Sequence, residues 1–423
     1  MYGNSGNGDN IQSRKGRYLL AKESTSVLFI IIILNALPAL ATDMYLAALP
    51  DMAIEFDAPI SLLNLNLILF FLFYAIGLLI WGPISDKYGR KLTLIVGMTA
   101  FVVVTFLCGF STSVYELIMF RILQGIFGGV GVAVSTAMVK DIYGGHKRER
   151  VFAMVAMMMA FGPIIAPIAG AGLLQVITWN GIFFIIAALG AVALLGCMLM
   201  EESIPRRSKR KVLATMAQSF LVLRNRRFSN LMPSFSPLGA TIFIWVGIAS
   251  YILIGDFGLS QGEFSLFFAA NAMFFLIGPF LYLGLVRRFD RLKIITISLA
   301  VIIVSGILIV TIGNLGPLTF LLAVIPASLA GSVIRTPSFD IAMTQMDEDV
   351  GAASSIFNFL FMVIGVAGMM ITSMEWDNRI LVMGLIYVVI GLFTLTMWQR
   401  VKKDYSARNE SESVEPTGVV DPD

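Results

Sequence analysis

The chain has 423 residues, of which 57% are hydrophobic and only 13% are charged. That charged share is about half of what a water-soluble domain carries, so the composition excludes an ordinary soluble fold. The net charge of +3 does not indicate a nucleic-acid partner, because the basic residues follow a pattern that concerns membrane orientation.

Twelve long apolar runs follow one another along the chain. Each approaches or exceeds the ~20 residues that a helix needs to cross a bilayer, and none shows the short alternating segments of a membrane β-barrel. The first run is too long for the apolar region of a cleavable signal peptide. The pattern predicts an all-α membrane protein with runs at 26–48, 61–81, 92–110, 115–139, 151–175, 182–200, 233–254, 264–286, 294–313, 317–339, 350–373 and 379–399.

The basic residues alternate between the gaps. Six segments, namely the two tails and the gaps after runs two, four, six and eight, hold 27 of the 30 Lys and Arg residues. Basic loops stay on the cytoplasmic side, so the alternation predicts that both termini are cytoplasmic. The gap after run ten has no basic residue and is assigned to the cytoplasm by parity alone.

The chain divides near its middle, where 201–231 is the longest internal polar stretch and contains eight basic residues. This linker separates two sets of six runs, which predicts two pseudo-symmetric six-helix bundles with substrate bound between them. The two tails lack apolar periodicity, which favours disorder. The predicted segments are a cytoplasmic tail (1–25), an N-terminal bundle (26–200), the linker (201–231), a C-terminal bundle (232–400) and an acidic cytoplasmic tail (401–423).

Four segments carry a resemblance to a known family. GPISDKYGRK at 82–91 resembles the loop signature of the major facilitator superfamily, and RILQGIFG at 121–128 looks like its Arg-x-x-Gln-Gly signature. Residues 162–170, with their Gly-Pro pair, look like the signature of its antiporter members. TDMYLAALP at 42–50 looks like the Bcr/CflA-like branch of drug/proton antiporters, named for bicyclomycin and chloramphenicol resistance.

The resemblance implies the twelve-helix major facilitator fold and proton-coupled export of small amphipathic compounds. It also implies a conformational switch. Asp86 could pair with a basic residue or cap a neighbouring helix, and two glycines would permit a tight reversal. The alternative for this loop is a simple turn with ordinary cytoplasmic charge. The switch is expected to comprise Gly82, Asp86, Gly89, Arg90, Gly162, Pro163 and Pro167.

Two charges inside the runs lie at matching depth. Asp43 is in the outer third of run one, and Arg121 is ~9 Å below the outer start of run four at 1.5 Å per residue. A charge facing lipid costs several kcal/mol, so we expect both side chains to face one cavity, with Gln124 one turn from Arg121. Asp43 is then the expected proton carrier and Arg121 its sensor. The alternative is a static ion pair that holds helices one and four together.

Four further residues are candidates for a substrate cavity: Asn35, Tyr74, Trp245 and Arg335. Some antiporters of this branch carry a second acid where this chain has Asn35, which argues against strongly cationic cargo. Helix packing is an equally good interpretation of Asn35. Arg335 could instead extend to the cytoplasmic interface or pair with Asp340, which is interpreted as structural.

Several chemistries are excluded. The only histidine, His146, lies in a basic loop, both cysteines lie inside apolar runs, and no phosphate-binding GxxxxGK[ST] motif occurs. We therefore expect no enzyme activity, metal or cofactor, and no nucleic-acid partner. The expected protein is a monomeric exporter in the bacterial cytoplasmic membrane that binds protons and a small molecule. The alternatives are a symporter or facilitator that imports a nutrient, and then a non-transporting sensor or a channel.

Overall fold

A computed structural model describes residues 25–204, 206–346 and 349–414, with side-chain surroundings as far as residue 403. Residues 1–24 and 415–423 of the predicted tails, and Asp347 and Glu348 of the acidic gap, lie outside the described residues. Within these ranges the regular structure is helical. Twelve helices are long and apolar enough to cross a membrane, as predicted: α1 Thr25–Glu55, α2 Ile60–Tyr88, α3 Arg90–Cys108, α4 Val114–Ile142, α5 Gly145–Leu173, α6 Trp179–Leu199, α7 Arg226–Asp256, α8 Gln261–Leu285, α9 Arg291–Leu315, α10 Pro317–Met343, α11 Val350–Thr372 and α12 Arg379–Lys403.

Helix α1 is interrupted near its outer end. Its regular part, Thr25–Asp43, ends at the aspartate, and the chain continues through a turn into a 3₁₀ turn at Leu46–Ala48. A second helical piece, Leu49–Glu55, begins with a proline near its N-terminus, where the missing backbone donor costs nothing. The interruption places Asp43 at the end of a helix and not inside a continuous one.

Glycines bring α4 against α2 and α5 against α1. A side chain at Gly125 would overlap the backbone carbonyl of Phe70, and one at Gly170 would overlap the carbonyl of Met44. Small residues that let backbones approach are the usual means of packing helices in membranes. The Met44 contact means that α5 supports α1 directly at its interruption.

The signature after run two is helical for most of its length. Helix α2 continues through Gly82 and Pro83 to Tyr88, and the reversal occurs at Gly89, whose φ is 104°. A side chain there would be strained by the backbone and would also meet the carboxylate of Glu202. Of the two glycines expected to permit a reversal, Gly82 thus lies inside the helix, which extends beyond the apolar run, and Gly89 adopts the conformation that favours glycine.

The described contacts divide the chain into two compact units. One runs to Phe220 and includes Ile244–Leu276 and Met369–Asp377, and the other comprises the remaining parts of the C-terminal sequence half. Inside the first unit, the Asn64 side chain of α2 donates hydrogen bonds to the Gly247 carbonyl of α7 (3.0 Å) and to Ser373 Oγ after α11 (2.9 Å).

Candidate functional site

Asp43 is the only acidic residue among the buried side chains of the described chain. It is 5% exposed, and its Oδ1 accepts a hydrogen bond of 2.8 Å from the hydroxyl of Thr42. The carboxyl sits where the regular part of α1 ends. Burying a carboxylate in a membrane protein is costly, which is why an ionisable residue in this position is a candidate for function.

Arg121 of α4 is completely buried. One terminal nitrogen, Nη1, donates to the carbonyl of Ala41 (2.9 Å) and to Oε1 of Gln124 (2.5 Å). The guanidinium also lies over three aromatic rings, with its carbon 4.2 Å, 5.0 Å and 5.9 Å from the ring centres of Phe70, Tyr45 and Phe183. These rings stabilise the cation without neutralising it.

Gln124 extends the network into α3. Its amide nitrogen donates to Thr105 Oγ1 (2.8 Å), and the Thr105 hydroxyl donates to the Phe101 carbonyl (2.6 Å). The amide nitrogen of Gln124 is thus held by Thr105, and its amide oxygen orients Arg121. The sequence predicted the pairing of Gln124 with Arg121 but gave no sign of Thr105.

Within the described residues, no N···O distance of 4.0 Å or less joins Arg121 to Asp43. Arg121 instead contacts Ala41, two residues before Asp43 on the same helix. Its Nε and Nη2 have no hydrogen-bond partner among the described residues, which leaves three of the five guanidinium N–H groups unused. The two charges are neighbours without forming the static ion pair that the sequence left open.

The three other candidates on α1, α2 and α7 are all buried. Asn35 donates to Ser135 of α4 (2.8 Å) and to the Ile31 carbonyl (2.8 Å), so it joins two helices. Tyr74 stacks on Phe70, one of the rings below Arg121, at 6.0 Å and 8°. Trp245 lies 5.9 Å from the ring of Phe268.

Arg335 of α10 has partners in the second unit. It donates to the Asn358 side chain of α11 (3.2 Å) and lies 4.4 Å from the ring centre of Phe361. The pairing with Asp340 that the sequence left open is not formed, because Asp340 bonds to Arg291 at 3.4 Å. Among the described residues, Arg335 has no carboxylate within ion-pair distance.

A second charged cluster surrounds Arg90 at the beginning of α3. Arg90 is 5% exposed and pairs with Asp86 (2.6 Å) and with Asp141 of α4 (2.9 Å). Its backbone nitrogen donates to Glu202 (2.9 Å), and the Ser208 nitrogen donates to the Asp86 carbonyl (2.7 Å). A cavity of about 330 Å³ lies here, lined by Asp86, Arg90, Asp141, Ile204, Arg206 and Ser208.

The sequence interpretation included Asp86 and Arg90 but missed their partners Asp141 and Glu202. The sequence did contain a signal for this pairing, since both acids lie in gaps that were assigned to the same side of the membrane as Arg90. Each was hidden in a segment dominated by positive charge. The other predicted switch residues lie on α5, where Gly162 packs against the Cβ of Ala39 and where Pro163 and Pro167 are inside the helix.

Residues 31–369 match the profile of the Major Facilitator Superfamily. The chain belongs to the major facilitator superfamily. Membership of this superfamily explains the twelve helices and the charged signature that contains Arg90. It confirms the fold class and the prediction that the protein is a transporter and not an enzyme.

Relatives in this superfamily include drug-resistance proteins. The chain is 26% identical over 355 residues to the "Bicyclomycin resistance protein homolog" of Haemophilus influenzae, covering 82% of this chain and 88% of that one. It is 27% identical over 353 residues to the "Uncharacterized MFS-type transporter YdgK" of Bacillus subtilis, covering 81% and 87%. It is also 27% identical to "Multidrug resistance protein MdtL" of Salmonella paratyphi C, over 54% and 58% of the two chains. The names of the Haemophilus and Salmonella relatives agree with the resemblance to the Bcr/CflA-like branch.

Solved transporters share the fold at low identity. A bacterial homologue of the lysosomal transporter Spinster superposes with a TM-score of 0.71 at 15% identity and covers 89% of this chain and 97% of that chain. The D-xylose–proton symporter gives 0.68 at 14% identity and covers 87% and 96%. These solved structures show that the chain has the major facilitator fold. The family match and the twelve apolar helices identify it as an integral membrane transporter.

Proposed function

We propose that this transporter exports small amphipathic compounds in exchange for protons. The observation that carries the proposal is the burial of Asp43, the only acid among the buried residues of the described chain, beside Arg121 with its unused N–H groups. The relatives named for bicyclomycin and multidrug resistance support the class of cargo.

In this proposal Asp43 carries the proton and Arg121 responds to its charge. A protonated Asp43 keeps its hydrogen bond with Thr42. An ionised Asp43 is attracted to the free N–H groups of the neighbouring guanidinium, and the contact between Arg121 and Ala41 passes any movement on to α1. Gln124 holds Arg121 in place during the exchange.

The energy for export would come from the proton entering the cell. One elementary charge crossing the membrane supplies ~2.3 kcal/mol per 100 mV, to which any pH difference adds. This free energy drives export only if each entering proton is exchanged for substrate. The mechanism therefore requires a buried carboxyl that can bind and release the proton from a cavity.

The proposed substrate cavity draws on Asn35, Tyr74, Trp245 and Arg335. Tyr74 is linked to the coupling residues because it stacks on Phe70, which also lies below Arg121. Arg335, beside Phe361 and Asn358, offers a cation and a ring surface to an amphipathic molecule. This combination suits uncharged or anionic compounds better than strongly cationic ones.

The proposed switch is the cluster around Arg90, together with α5. Arg90 links the ends of α2 and α4 through Asp86 and Asp141. Neutralising Asp86 or Arg90 should slow the change of conformation while equilibrium substrate affinity stays within a few-fold. The remaining members of the proposed switch are Gly82, Gly89, Gly162, Pro163 and Pro167.

The proposed orientation follows the distribution of basic residues. Both termini and the linker face the cytoplasm of a bacterial cell, and two six-helix bundles at 26–200 and 232–400 flank the substrate of a monomeric protein. Single cysteines in 51–60, 111–114, 176–180 or 255–262 should react from outside with a membrane-impermeant maleimide. Labelling of a cysteine at position 208 from outside intact cells would contradict this orientation.

Transport by the purified protein tests the function. Proteoliposomes containing the protein should exchange labelled for unlabelled bicyclomycin, and they should accumulate it against its gradient when a pH difference is imposed. Exchange without accumulation would indicate a facilitator, and absence of both would exclude bicyclomycin as cargo. A growth-inhibition panel with and without expression would then identify the compounds that are exported.

A further inference from the structure

The linker between α6 and α7 contains a helix whose apolar side faces outward. This linker helix, Val212–Leu221, has no buried residue. At 3.6 residues per turn, Leu213, Ala217 and Phe220 share one side, and Leu213 is 79% and Phe220 42% exposed. The polar side chains of Thr215, Gln218 and Ser219 share the opposite side.

The polar side is the more protected one. Its three residues are all half-buried, and the Gln218 oxygen accepts a hydrogen bond of 3.2 Å from Arg210. A helix on the surface of a soluble protein would be expected to bury the apolar side and expose the polar side. Here Val212 and Met216 are half-buried beside the three polar residues, and every exposed residue of the helix is apolar. This arrangement indicates that the outward side of the linker helix meets an apolar environment.

The residues that precede the linker helix are strongly basic. Residues 206–211 read RRSKRK, with five positive charges and no acid. A short helix with an apolar side next to clustered Lys and Arg is the pattern of an interfacial membrane helix, and such clusters attract anionic lipid.

We propose that the linker helix lies in the membrane interface. Leu213 and its neighbours on the apolar side contact the acyl chains, and residues 206–211 bind anionic phospholipid headgroups. The proposal rests on the identification of the chain as a membrane transporter and on the position of the linker at a membrane surface. It does not depend on proton exchange or on the identity of the cargo, so its failure would leave the proposed function untouched.

Depth-dependent quenching tests the apolar contact. The full-length protein, with Cys108 and Cys197 replaced by alanine, would carry Leu213→Cys labelled with an environment-sensitive fluorophore. It would be reconstituted into vesicles of phosphatidylcholine with about one quarter phosphatidylglycerol, with or without lipid bearing a nitroxide on carbon 5 of its acyl chain. Thr215→Cys is the matched control, because it lies roughly 200° around the same helix.

The proposal expects strong quenching by the nitroxide lipid at position 213, little at 215, and protection of position 213 from aqueous acrylamide. Free access of acrylamide to position 213 would overturn it. Protection from both quenchers would also overturn it, since the apolar side would then be covered by protein. Because Leu213 is exposed, its label does not disturb packing, and elution as a single species in detergent verifies the fold.

Charge dependence tests the headgroup contact. Each basic residue near an anionic surface favours binding about five-fold, so K209Q/K211Q should lower the equilibrium constant for interface binding by about 25-fold. These two lysines are chosen because neither lines the cavity beside Arg90. Quenching at position 213 should weaken in the variant, and also in vesicles that lack phosphatidylglycerol. Equal quenching in neutral and anionic vesicles would contradict a site for anionic lipid.

Discussion

Replacing Asp43 by asparagine removes the one buried carboxyl of the described chain with little change in shape. The new side chain retains an oxygen in the position that accepts the Thr42 hydroxyl, and neither residue forms an ion pair with Arg121. We therefore expect Asp43→Asn to fold and insert normally, because no charged partner loses its counter-ion. What it loses is the ability to bind and release a proton.

The size of the effect follows from the membrane potential. For an uncharged substrate exchanged against one proton, 100 mV supplies ~2.3 kcal/mol, which supports a concentration ratio of about 50-fold at 1.36 kcal/mol per factor of ten. Asp43→Asn should bring this ratio to about one, the value for a passive carrier. Exchange of labelled for unlabelled substrate needs no proton, so we expect it to continue.

The assay compares the two activities in one preparation. Proteoliposomes would be loaded for counterflow of labelled bicyclomycin, and a matched set would be energised by a potential and a pH difference. Asp340→Asn is the control, since Asp340 is an exposed membrane-helix acid that pairs with Arg291 outside the proposed coupling site. The control should retain uphill transport.

Uphill accumulation by Asp43→Asn at the wild-type ratio would refute the coupling assignment. The proton site would then have to be sought at Asp340, or the protein reclassified as a facilitator. Loss of counterflow together with loss of accumulation would count against a purely energetic role for Asp43.

Three further substitutions test other parts of the structure. Gly170→Ala should lower the unfolding free energy by ~1–3 kcal/mol, because the new side chain would overlap the neighbouring backbone. Gly172→Ala, with open space around it, should be neutral or slightly stabilising, and thermal unfolding in detergent separates the two variants. Asp141→Asn removes one of the two carboxylates that pair with Arg90, and we expect slower transport with substrate affinity unchanged within a few-fold. A loss of affinity in equilibrium binding as large as the loss of transport rate would argue against a switch. Arg335→Gln should raise the half-saturating concentration for transport about ten-fold, which corresponds to the loss of one hydrogen bond to a charged group, while the melting temperature stays unchanged. Unchanged transport would remove Arg335 from the proposed cavity.

The twelve helices could be predicted because the physics of the bilayer acts on every residue of a run. Each apolar stretch needs a fixed length, and no competing structure satisfies the backbone in lipid. The interruption of α1 was not predictable in the same way. Residues 44–49 are as apolar as the helix before them, so composition gave no sign that the regular helix ends at Asp43.

The candidate site was predictable only where charge itself was the signal. Asp43 and Arg121 are conspicuous inside apolar runs, and depth along the helices indicated that they are neighbours. The rings around Arg121 could not be selected, because the chain has 32 phenylalanines and 11 tyrosines, and only packing decides which of them meet the cation. Asp141 and Glu202 were missed for a related reason, since their pairing with the Arg90 segment joins residues far apart in sequence.

The separation of Asp43 from Arg121 also bears on how a coupling site of this kind could work. Breaking a buried ion pair by removing one charge costs about 3–5 kcal/mol, which exceeds the ~2.3 kcal/mol that one proton gains from 100 mV. A locked pair would therefore resist the protonation that coupling requires. Here Arg121 is held by Ala41, Gln124 and the aromatic rings, and Asp43 bonds to its own neighbour Thr42. Each charge has partners of its own, so the proposed mechanism does not start from an ion pair that would have to be broken before Asp43 could bind a proton.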